Sequence, residues 1–257
     1  MKSPQKHIKA PDLREPLRFI LSALVDFIYP PRCAGCGRSS EDRPFCPVCR
    51  EGFAAARAAS LQSGHGDFNH LSGPLHFDAA FTGWGFTPMI AHLIHQYKYQ
   101  DRRLFAEIFG AGLAEMLPAQ ALAWPEATLL PVPLHSVRKR ERGYNQSALL
   151  ARAVGSAMGW PVDDALLKRH RQTETQTHLD AEARQANVGG AFALRRPEAA
   201  EGQCFVVVDD VITTGATLNA IAALLKSAGA AWVGGLAVSR PDHRKGASTP
   251  GVVQIDG

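Results

Sequence analysis

The chain has 257 residues, of which 46% are apolar, 20% charged and 8% aromatic. This composition is typical of a globular protein with one large or two small hydrophobic cores, and it excludes a fibrous or largely disordered chain. The net charge of +4 is too small to indicate a nucleic-acid-binding protein by itself. The positive charge is concentrated, however, because residues 132–196 contain 11 basic and 6 acidic side chains. This concentration indicates an anionic ligand.

The longest apolar stretch near the start of the chain, Leu17–Tyr29, is interrupted by Arg18 and Asp26. It falls short of the roughly 18 apolar residues that a membrane-spanning helix needs, so we expect no membrane span. Lysines precede it, as in a secretory signal peptide, but Asp26 breaks the apolar region and no small-x-small cleavage pattern follows. We therefore predict an amphipathic segment over residues 1–30, with a helix at Leu17–Ile28, in a cytoplasmic protein.

Four of the five cysteines form the pattern C-x2-C-x9-C-x2-C, at Cys33, Cys36, Cys46 and Cys49. Two C-x-x-C pairs this close suit a tetrahedral zinc ion, because each pair forms a tight turn that directs two thiolates at one point. Disulfide bonds would need an oxidising compartment, and a redox C-x-x-C motif needs no second copy nearby. We therefore predict a small zinc-ribbon-like module over residues 31–61. Cys204 stands apart at the start of an apolar run and is predicted to be a buried small hydrophobe.

The module ends with an alanine-rich helical run, Gly52–Leu61, and a polar stretch follows it. We interpret residues 62–75 as a linker and residues 76–257 as a second, larger domain.

Within the larger domain, apolar runs alternate with helical patterns. The first run, Phe77–Phe86, predicts a strand with a bend at Gly83 and Gly85, and Thr87 followed by Pro88 predicts the start of a helix. The later predicted elements are a helix at Leu104–Leu117, a strand at Thr128–Leu134, a helix at Ser147–Met158, a strand at Phe205–Val208, a helix from about Ala216 to Ala228 that stops at Gly229, and a strand at Trp232–Val238. Wholly apolar strands that alternate with helices indicate an α/β fold with a parallel sheet flanked by helices.

The most informative stretch, Phe205–Thr217, has the sequence FVVVDDVITTGAT. An apolar strand would place Asp209 and Asp210 at its carboxyl end, the edge of an α/β sheet where ligands bind. The residues that follow precede a helix, whose N-terminal N–H groups and dipole can bind a phosphate; they are Thr213, Thr214, Gly215, Ala216 and Thr217. Carboxylates beside an anion site suit a divalent metal or sugar hydroxyls. The structural alternative, that the aspartates only cap the helix, does not account for two acids together with three threonines and a glycine.

This stretch resembles the motif with which type I phosphoribosyltransferases bind phosphoribosyl pyrophosphate (PRPP), and it matches at every position. Nearly the full chain is similar to the ComF family of competence-associated proteins, which join an N-terminal cysteine cluster to a phosphoribosyltransferase domain. Beyond the cysteines and the phosphate loop, the resemblance rests on IHQYKY (Ile94–Tyr99), LPVPLHSVRKRERGYNQS (Leu130–Ser147) and an R-x-T-x-x-Q segment from Arg171.

The resemblance implies roles for the acidic pair and the phosphate loop. Asp209 and Asp210 would hold the ribose hydroxyls and the shell of a Mg²⁺ ion, and residues 213–217 would bind the 5′-phosphate. Lys98 and Tyr99 lie at a helix end; we interpret them as a lysine that compensates the helix dipole and a core aromatic, and predict no catalytic role for either.

The resemblance also implies roles for the basic residues. A pyrophosphate loop would follow the strand Thr128–Leu134, and its guanidinium groups would bind phosphate; they belong to Arg138, Arg140 and Arg142. A mobile loop over Lys168–Arg184, which includes Arg171, would close over the site and exclude water. A solvated charge run or a nucleic-acid patch remains the alternative for these arginines.

The resemblance therefore implies Mg²⁺-dependent transfer of a phosphoribosyl group to a nitrogen acceptor, a structural zinc ion, and a link to DNA uptake in natural competence. The alternative is a non-catalytic accessory protein that binds PRPP, another nucleotide, single-stranded DNA or competence proteins. Between the first and last cysteine the only basic residues are Arg38 and Arg43, and Phe45 is the only aromatic, so direct DNA contact by the zinc module is weakly supported. The sequence specifies neither the acceptor nor the oligomeric state.

Overall fold

The computed structural model describes residues 30–62, 74–99, 102–120, 126–134, 143–170 and 190–241. The chain divides into two compact units, residues 1–51 and residues 52–257. The helix predicted at Leu17–Ile28 and most of the predicted linker lie outside the described residues. None of the helices in the described ranges has the length and hydropathy that spanning a bilayer requires.

The first unit contains the cysteine hairpin and the start of helix α1 (Pro47–Gln62). Arg32 and Ser39 form an antiparallel bridge across a turn in which Gly37 has a φ of +72°, a conformation that favours glycine. The helix begins at Pro47, earlier than the predicted Gly52, because proline is suited to the first helical position. One cysteine of the second pair therefore lies in the first turn of a helix.

The second unit has the α/β fold that the sequence predicts. Its elements, in chain order after α1, are β1 (Ala79–Gly85), α2 (Pro88–Tyr99), α3 (Arg102–Gln120), β2 (Thr128–Pro131), α4 (Gln146–Met158), β3 (Leu167–Arg169), β4 (Phe192–Leu194), a 3-10 helix (Pro197–Ala200), β5 (Cys204–Val211), α5 (Ala216–Ser227) and β6 (Trp232–Arg240). Four strands form a sheet in the order β1-β6-β5-β2, and every neighbouring pair is parallel. Strands β3 and β4 form a separate antiparallel pair. The prediction of a parallel sheet with flanking helices is confirmed.

The two central strands, β5 and β6, are buried along most of their length, as their apolar sequences predict. Helix α5 packs against β6 at Gly235, where a Cβ atom would lie 2.3 Å from the Cδ2 atom of Leu218. Such a distance is far below van der Waals contact, so the absence of a side chain at Gly235 leaves room for Leu218 of α5 against the sheet. The close packing holds the N-terminus of α5 at the carboxyl edge of the sheet.

Two helix ends follow the predicted signals, the start of α2 and the end of α5. The Thr87 Oγ1 atom accepts the N–H of Ile90 at 3.2 Å, so Thr87 caps α2 as predicted. Gly229, predicted as the stop of α5, has a φ of +88° and donates its N–H to the carbonyl of Lys226 at 3.0 Å. The cap of α4 is Asn145, whose Oδ1 accepts the N–H of Ser147 at 3.1 Å.

Two strand predictions need correction. The predicted bend at Gly83 and Gly85 is absent, because both residues lie inside β1; a Cβ at Gly83 would lie 2.7 Å from Leu113 Cδ2, so this glycine allows α3 to approach the strand. Strand β5 does not end at Val208 but runs to Val211, since its backbone remains paired with β6. The aspartates therefore lie inside the strand rather than beyond it.

The short pair β3 and β4 was not predicted. Each strand has only three residues, too few for a periodic pattern. The two strands come from either side of residues 171–189. The N–H of His170 donates to the carbonyl of Ala191 at 2.8 Å, so the pair joins the two ends of that segment.

Candidate functional site

Strand β5 presents its two carboxylates in different surroundings. Alternate side chains of a strand leave it on opposite faces, yet both carboxylates contact the start of α4, Asp209 through Ser147 and Asp210 through Gln146. Asp209 borders a small cleft, whereas Asp210 is not among the described residues that line it. The cleft is lined by Val132, Val207, Asp209, Val211, Ile212, Thr213, Gly215, Thr217 and Leu218. The cleft thus joins one carboxylate to the loop that precedes α5.

That loop brings the N-terminus of α5 to the cleft. Gly215 has a φ of +83° and stands at the N-cap of α5, where no side chain caps the helix. Thr213, Gly215 and Thr217 reach the cleft, while the Thr214 Oγ1 atom accepts the N–H of Ala216 at 3.3 Å. Backbone N–H groups at a helix N-terminus and the helix dipole favour an anion. The aspartates cap no helix here, so the structural alternative for the acidic pair does not apply.

Asp209 is held by groups from its own strand and from α4. Its Oδ1 atom accepts the N–H of Asp210 at 2.8 Å and the hydroxyl of Ser147 at 3.1 Å. Burial raises the pKa of Asp209 from 3.8 to about 7, and the neighbouring charge of Asp210 adds to this effect; the hydrogen bonds and the ammonium group of Lys98 oppose it. The carboxyl group at the cleft is therefore poised to change charge near neutral pH.

Asp210 is 6% exposed and is neutralised from another part of the chain. Its Oδ2 atom lies 2.7 Å from the Nζ atom of Lys98 and accepts the Nε2 group of Gln146 at 3.4 Å. The Oε1 atom of Gln146 is buried and has no hydrogen-bond partner among the described residues. The site therefore contains an acceptor that no described donor satisfies.

Sequence reasoning did not assign Lys98, Gln146 or Ser147 to the site. All three belong to segments that carry the family resemblance, IHQYKY and LPVPLHSVRKRERGYNQS, and that membership is the signal that could have identified them. Lys98 does lie in the last turn of α2, as its interpretation as a dipole-compensating lysine requires, but its ammonium group contacts a carboxylate of the acidic pair.

The end of α2 is fixed to the start of α4 by two tyrosines. The hydroxyl of Tyr97 donates to the carbonyl of Gln146, and the hydroxyl of Tyr144 donates to the carbonyl of Tyr97. Tyr97 is fully buried, and this burial raises its pKa. Tyr99, interpreted as a core aromatic, is 58% exposed, because the apolar face of α2 ends at Tyr97.

The predicted anion-binding arginines, Arg138, Arg140, Arg142 and Arg171, lie outside the described residues. The ends of the basic segment are described, however. The Nδ2 group of Asn145 donates to the carbonyl of Val132 at 3.0 Å, and Val132 lines the cleft. The basic segment therefore leaves and rejoins the described fold beside the cleft.

The first unit brings the four predicted ligand atoms together. The Sγ atoms of Cys33, Cys36, Cys46 and Cys49 all lie within 4.8 Å of one another, and those of Cys36 and Cys46 are 3.9 Å apart. Sulfur atoms around a tetrahedral zinc ion, at about 2.3 Å from the metal, have a similar mutual spacing. The donor set and its compactness thus fit zinc.

Backbone donors favour the thiolate form of Cys33. Its Sγ atom accepts the N–H of Cys46 at 3.2 Å and that of Gly35 at 3.3 Å. Burial raises the pKa of Cys33, but these backbone donors outweigh burial and lower it to about 6. Burial and the neighbouring thiols raise the pKa of Cys49. Cys204, predicted to be buried, begins β5 and is only partly buried.

Two family models match parts of the chain. A model described as "Double zinc ribbon domain" matches residues 24–60, and one described as "Phosphoribosyl transferase domain" matches residues 144–254. The first range contains the four clustered cysteines, and the second contains both aspartates and the phosphate loop.

The chain is similar to curated relatives and to solved structures. DNA utilization protein YhgH of Salmonella typhi is 36% identical over 209 residues, which cover 78% of this chain and 86% of the relative. Competence protein F of Haemophilus influenzae is 30% identical over 202 residues, with coverage of 77% and 85%. A glutamine PRPP amidotransferase structure from B. subtilis has 24% identity and a TM-score of 0.37, with 56% of this chain and 30% of that protein aligned. On the similarity to the two curated relatives, the chain belongs to the ComF family, the family of Competence protein F and DNA utilization protein YhgH.

Proposed function

We propose that the second unit binds PRPP and transfers its phosphoribosyl group to a nitrogen acceptor, with release of pyrophosphate. The observation that carries the proposal is that Asp209 and the N-terminus of α5 border one cleft at the carboxyl edge of a parallel sheet. The helix end offers N–H donors to a phosphate, and the carboxylate offers an acceptor to sugar hydroxyls. A phosphorylated sugar uses both.

The acidic pair suits the metal that accompanies such a ligand. Carboxylate oxygens are the hard ligands that Mg²⁺ prefers, and Asp209 and Asp210 are the residues that would contribute to its shell. When bound, Mg²⁺ supplies positive charge at the pyrophosphate oxygens. Asp209, at the cleft, would accept hydrogen bonds from the ribose, and the N–H groups of residues 213–217 would hold the 5′-phosphate.

The transfer reaction needs positioning and electrostatic stabilisation more than acid or base chemistry. Departure of pyrophosphate builds negative charge on the leaving group and positive charge at the anomeric carbon. We propose that four guanidinium groups of the basic segments stabilise the negative charge on the leaving group; they belong to Arg138, Arg140, Arg142 and Arg171. Ionised Asp209 would stabilise the positive charge at the sugar. Val132 lines the cleft and is hydrogen-bonded to Asn145 on the other side of the first basic segment. This position supports the assignment of the arginines to the leaving group.

Binding is the first test. Calorimetric titration of PRPP with Mg²⁺ into the wild-type protein should give a saturable signal, and the Asp209→Asn and Asp210→Asn variants should bind about 10- to 100-fold more weakly, the usual cost of a charged hydrogen bond. Asp164→Asn is the matched control, because Asp164 is an exposed carboxylate that pairs with Arg152 away from the cleft. Equal affinity in the cleft variants and the control would contradict the proposal.

Turnover is the second test, and it separates a transferase from a protein that only binds. Free bases and amines are screened for pyrophosphate release from PRPP, and a positive acceptor is then used with each variant. Loss of one well-placed group at the site should lower the rate by about 10²- to 10³-fold. Tight PRPP binding without release for any acceptor would favour the accessory role.

The names of the relatives support a link to DNA. DNA utilization protein YhgH and Competence protein F are similar over most of the chain, and residues 132–196 concentrate basic charge. We propose that the protein acts on incoming DNA in the cytoplasm, alone or with competence proteins, with residues 31–61 as a zinc-ribbon-like module and 76–257 as the transferase-like domain. Direct binding predicts an affinity for single-stranded DNA that falls steeply between two salt concentrations. An affinity that salt does not change would contradict contact through the arginines.

A further inference from the structure

The ion pair between Lys98 and Asp210 differs from an ordinary surface salt bridge in its position. The Nζ and Oδ2 atoms are 2.7 Å apart, the Asp210 side chain is 8% exposed and that of Lys98 is 25% exposed. Asp210 follows Asp209, which borders the ligand cleft, and Lys98 comes from α2, a distant segment of the chain. A buried carboxylate needs a partner, because an isolated buried charge is costly.

The same oxygen is what a divalent cation would use. Carboxylate oxygens bind Mg²⁺ and Mn²⁺ through direct electrostatic attraction, and an ammonium group at 2.7 Å occupies that position with a single positive charge. Two cations cannot share one side of a carboxylate oxygen without strong repulsion. Lysine and metal are therefore alternatives at Oδ2 of Asp210.

The surroundings allow the lysine to leave without moving the fold. The backbone at the end of α2 is held by the hydroxyl groups of Tyr97 and Tyr144, so Lys98 can change position only through its side chain. That side chain is a flexible stem with a compact charge, and its partial exposure gives it access to water. Asp210 would keep the contact with the Nε2 group of Gln146.

We propose that Lys98 is the resident counter-ion of Asp210 and that binding of a metal-complexed sugar phosphate displaces it from this carboxylate. The identity of the ligand in this exchange rests on the proposed function. The competition between Lys98 and a metal ion for Asp210 concerns this chain alone. It makes the acidic pair stable in the absence of ligand and keeps a free metal ion from binding there. Metal affinity then depends on the arrival of the phosphate ligand.

The test uses metal alone. Mn²⁺ is titrated into the zinc-loaded full-length protein without PRPP, and the loss of the free Mn²⁺ signal is followed by electron paramagnetic resonance. Lys98→Met should bind Mn²⁺ at least about tenfold more tightly than the wild type, because the competing charge is gone. Lys98→Arg keeps the charge and should behave as the wild type. Adding Asp210→Asn to Lys98→Met should remove the gain.

Stability separates this role from a purely structural one. A structural ion pair would make Lys98→Met less stable without raising its Mn²⁺ affinity, and that result would overturn the inference. If Lys98→Met folds poorly, Lys98→Gln supplies a neutral side chain with a hydrogen-bond donor, and the same gain in Mn²⁺ affinity is expected.

The two proposals fail separately. Wild-type binding of PRPP with Mg²⁺, together with unchanged Mn²⁺ affinity in both neutral variants, would overturn the exchange and leave the proposed function standing. A gain in Mn²⁺ affinity that Asp210→Asn removes, without PRPP binding by any protein, would support Lys98 as counter-ion and contradict the proposed function.

Discussion

The cysteine hairpin and the acidic pair both bring together groups that repel each other when ionised, but they assemble in different ways. All four thiols lie between residues 33 and 49, and the backbone N–H groups that favour a thiolate come from the same short stretch. The acidic pair is a local dipeptide, yet the groups that stabilise it come from α2 and from the start of α4. One cluster is complete within a short stretch of chain, and the other is completed by the tertiary fold.

This difference determines what each site depends on. The hairpin offers few apolar side chains, so its folding free energy must come largely from the metal. The acidic pair lies on a central strand of a packed sheet, and its surroundings persist for as long as the sheet does. Damage to the hairpin should therefore remain in the first unit, whereas changes at the pair should alter charge without unfolding the sheet.

Removal of zinc is expected to have the largest effect. Structural zinc contributes about 10–16 kcal/mol to the folding of small zinc domains, so chelation or Cys33→Ser should unfold the hairpin. Hydrogen exchange measured by mass spectrometry should then increase in peptides over residues 30–46 and stay slow in β5 and β6. Cys204→Ser is the matched control and should keep both the metal content and the exchange pattern of the wild type. Rapid exchange throughout the sheet after chelation would contradict the separation of the two units.

The charge of Asp209 should make stability depend on pH. Its pKa is 3.8 ordinarily and about 7 in the folded protein, so between these values the folded state retains a proton that the unfolded state has lost. The free energy of unfolding therefore falls as the pH rises through this window. Asp209→Asn removes the titration and keeps an Oδ1 acceptor for Ser147 and for the N–H of Asp210. In the absence of ligand the variant should be the more stable protein at pH 8, by up to a few kcal/mol, and the difference should vanish below pH 4.

Urea denaturation at several pH values measures this effect. Asp164→Asn, which removes an exposed carboxylate, should follow the pH dependence of the wild type. A parallel pH dependence for Asp209→Asn and the wild type would mean that burial does not oppose ionisation of Asp209.

The sequence alone predicts those features that depend on residues close together along the chain. The cysteine spacing, the threonine cap of α2 and the alternation of apolar strands with helices all appear in the structure, because each follows from neighbours along the chain. The role of Lys98 could not be predicted in this way, since a lysine in the last turn of a helix already has a sufficient local reason to be there. Its partner is Asp210 on β5, and the two residues meet only in the tertiary fold.

The end of β5 shows the same limit. Polar residues after an apolar run indicate the end of a strand, and Asp209 and Asp210 were therefore expected beyond Val208. In the fold, β6 continues to pair with β5 as far as Val211, so the strand continues through both acids. At this position both carboxylates contact the start of α4, which no local pattern indicates.

The smallest expected effect compares a cap that is local with one that is not. Thr87 caps α2 through its neighbour Ile90 alone, whereas Asn145 caps α4 and also donates to the carbonyl of Val132 beside the cleft. Thr87→Ala should cost about 1 kcal/mol of unfolding free energy, the usual value of a cap. Asn145→Ala should cost about 2 kcal/mol, because a tertiary hydrogen bond is lost as well.

The Asn145→Ser variant isolates that second contribution. Serine keeps an oxygen that can accept the N–H of Ser147 but has no amide group for the carbonyl of Val132, so its cost should lie near 1 kcal/mol. The same variant should weaken PRPP binding more than Thr87→Ala does, because the bond to Val132 closes the stem of the basic segment at the cleft. Equal losses of unfolding free energy in Asn145→Ala and Thr87→Ala, with equal PRPP affinity, would mean that the α4 cap is as local as the α2 cap. The contrast between a locally built site and a tertiary one would then not extend to this edge of the cleft.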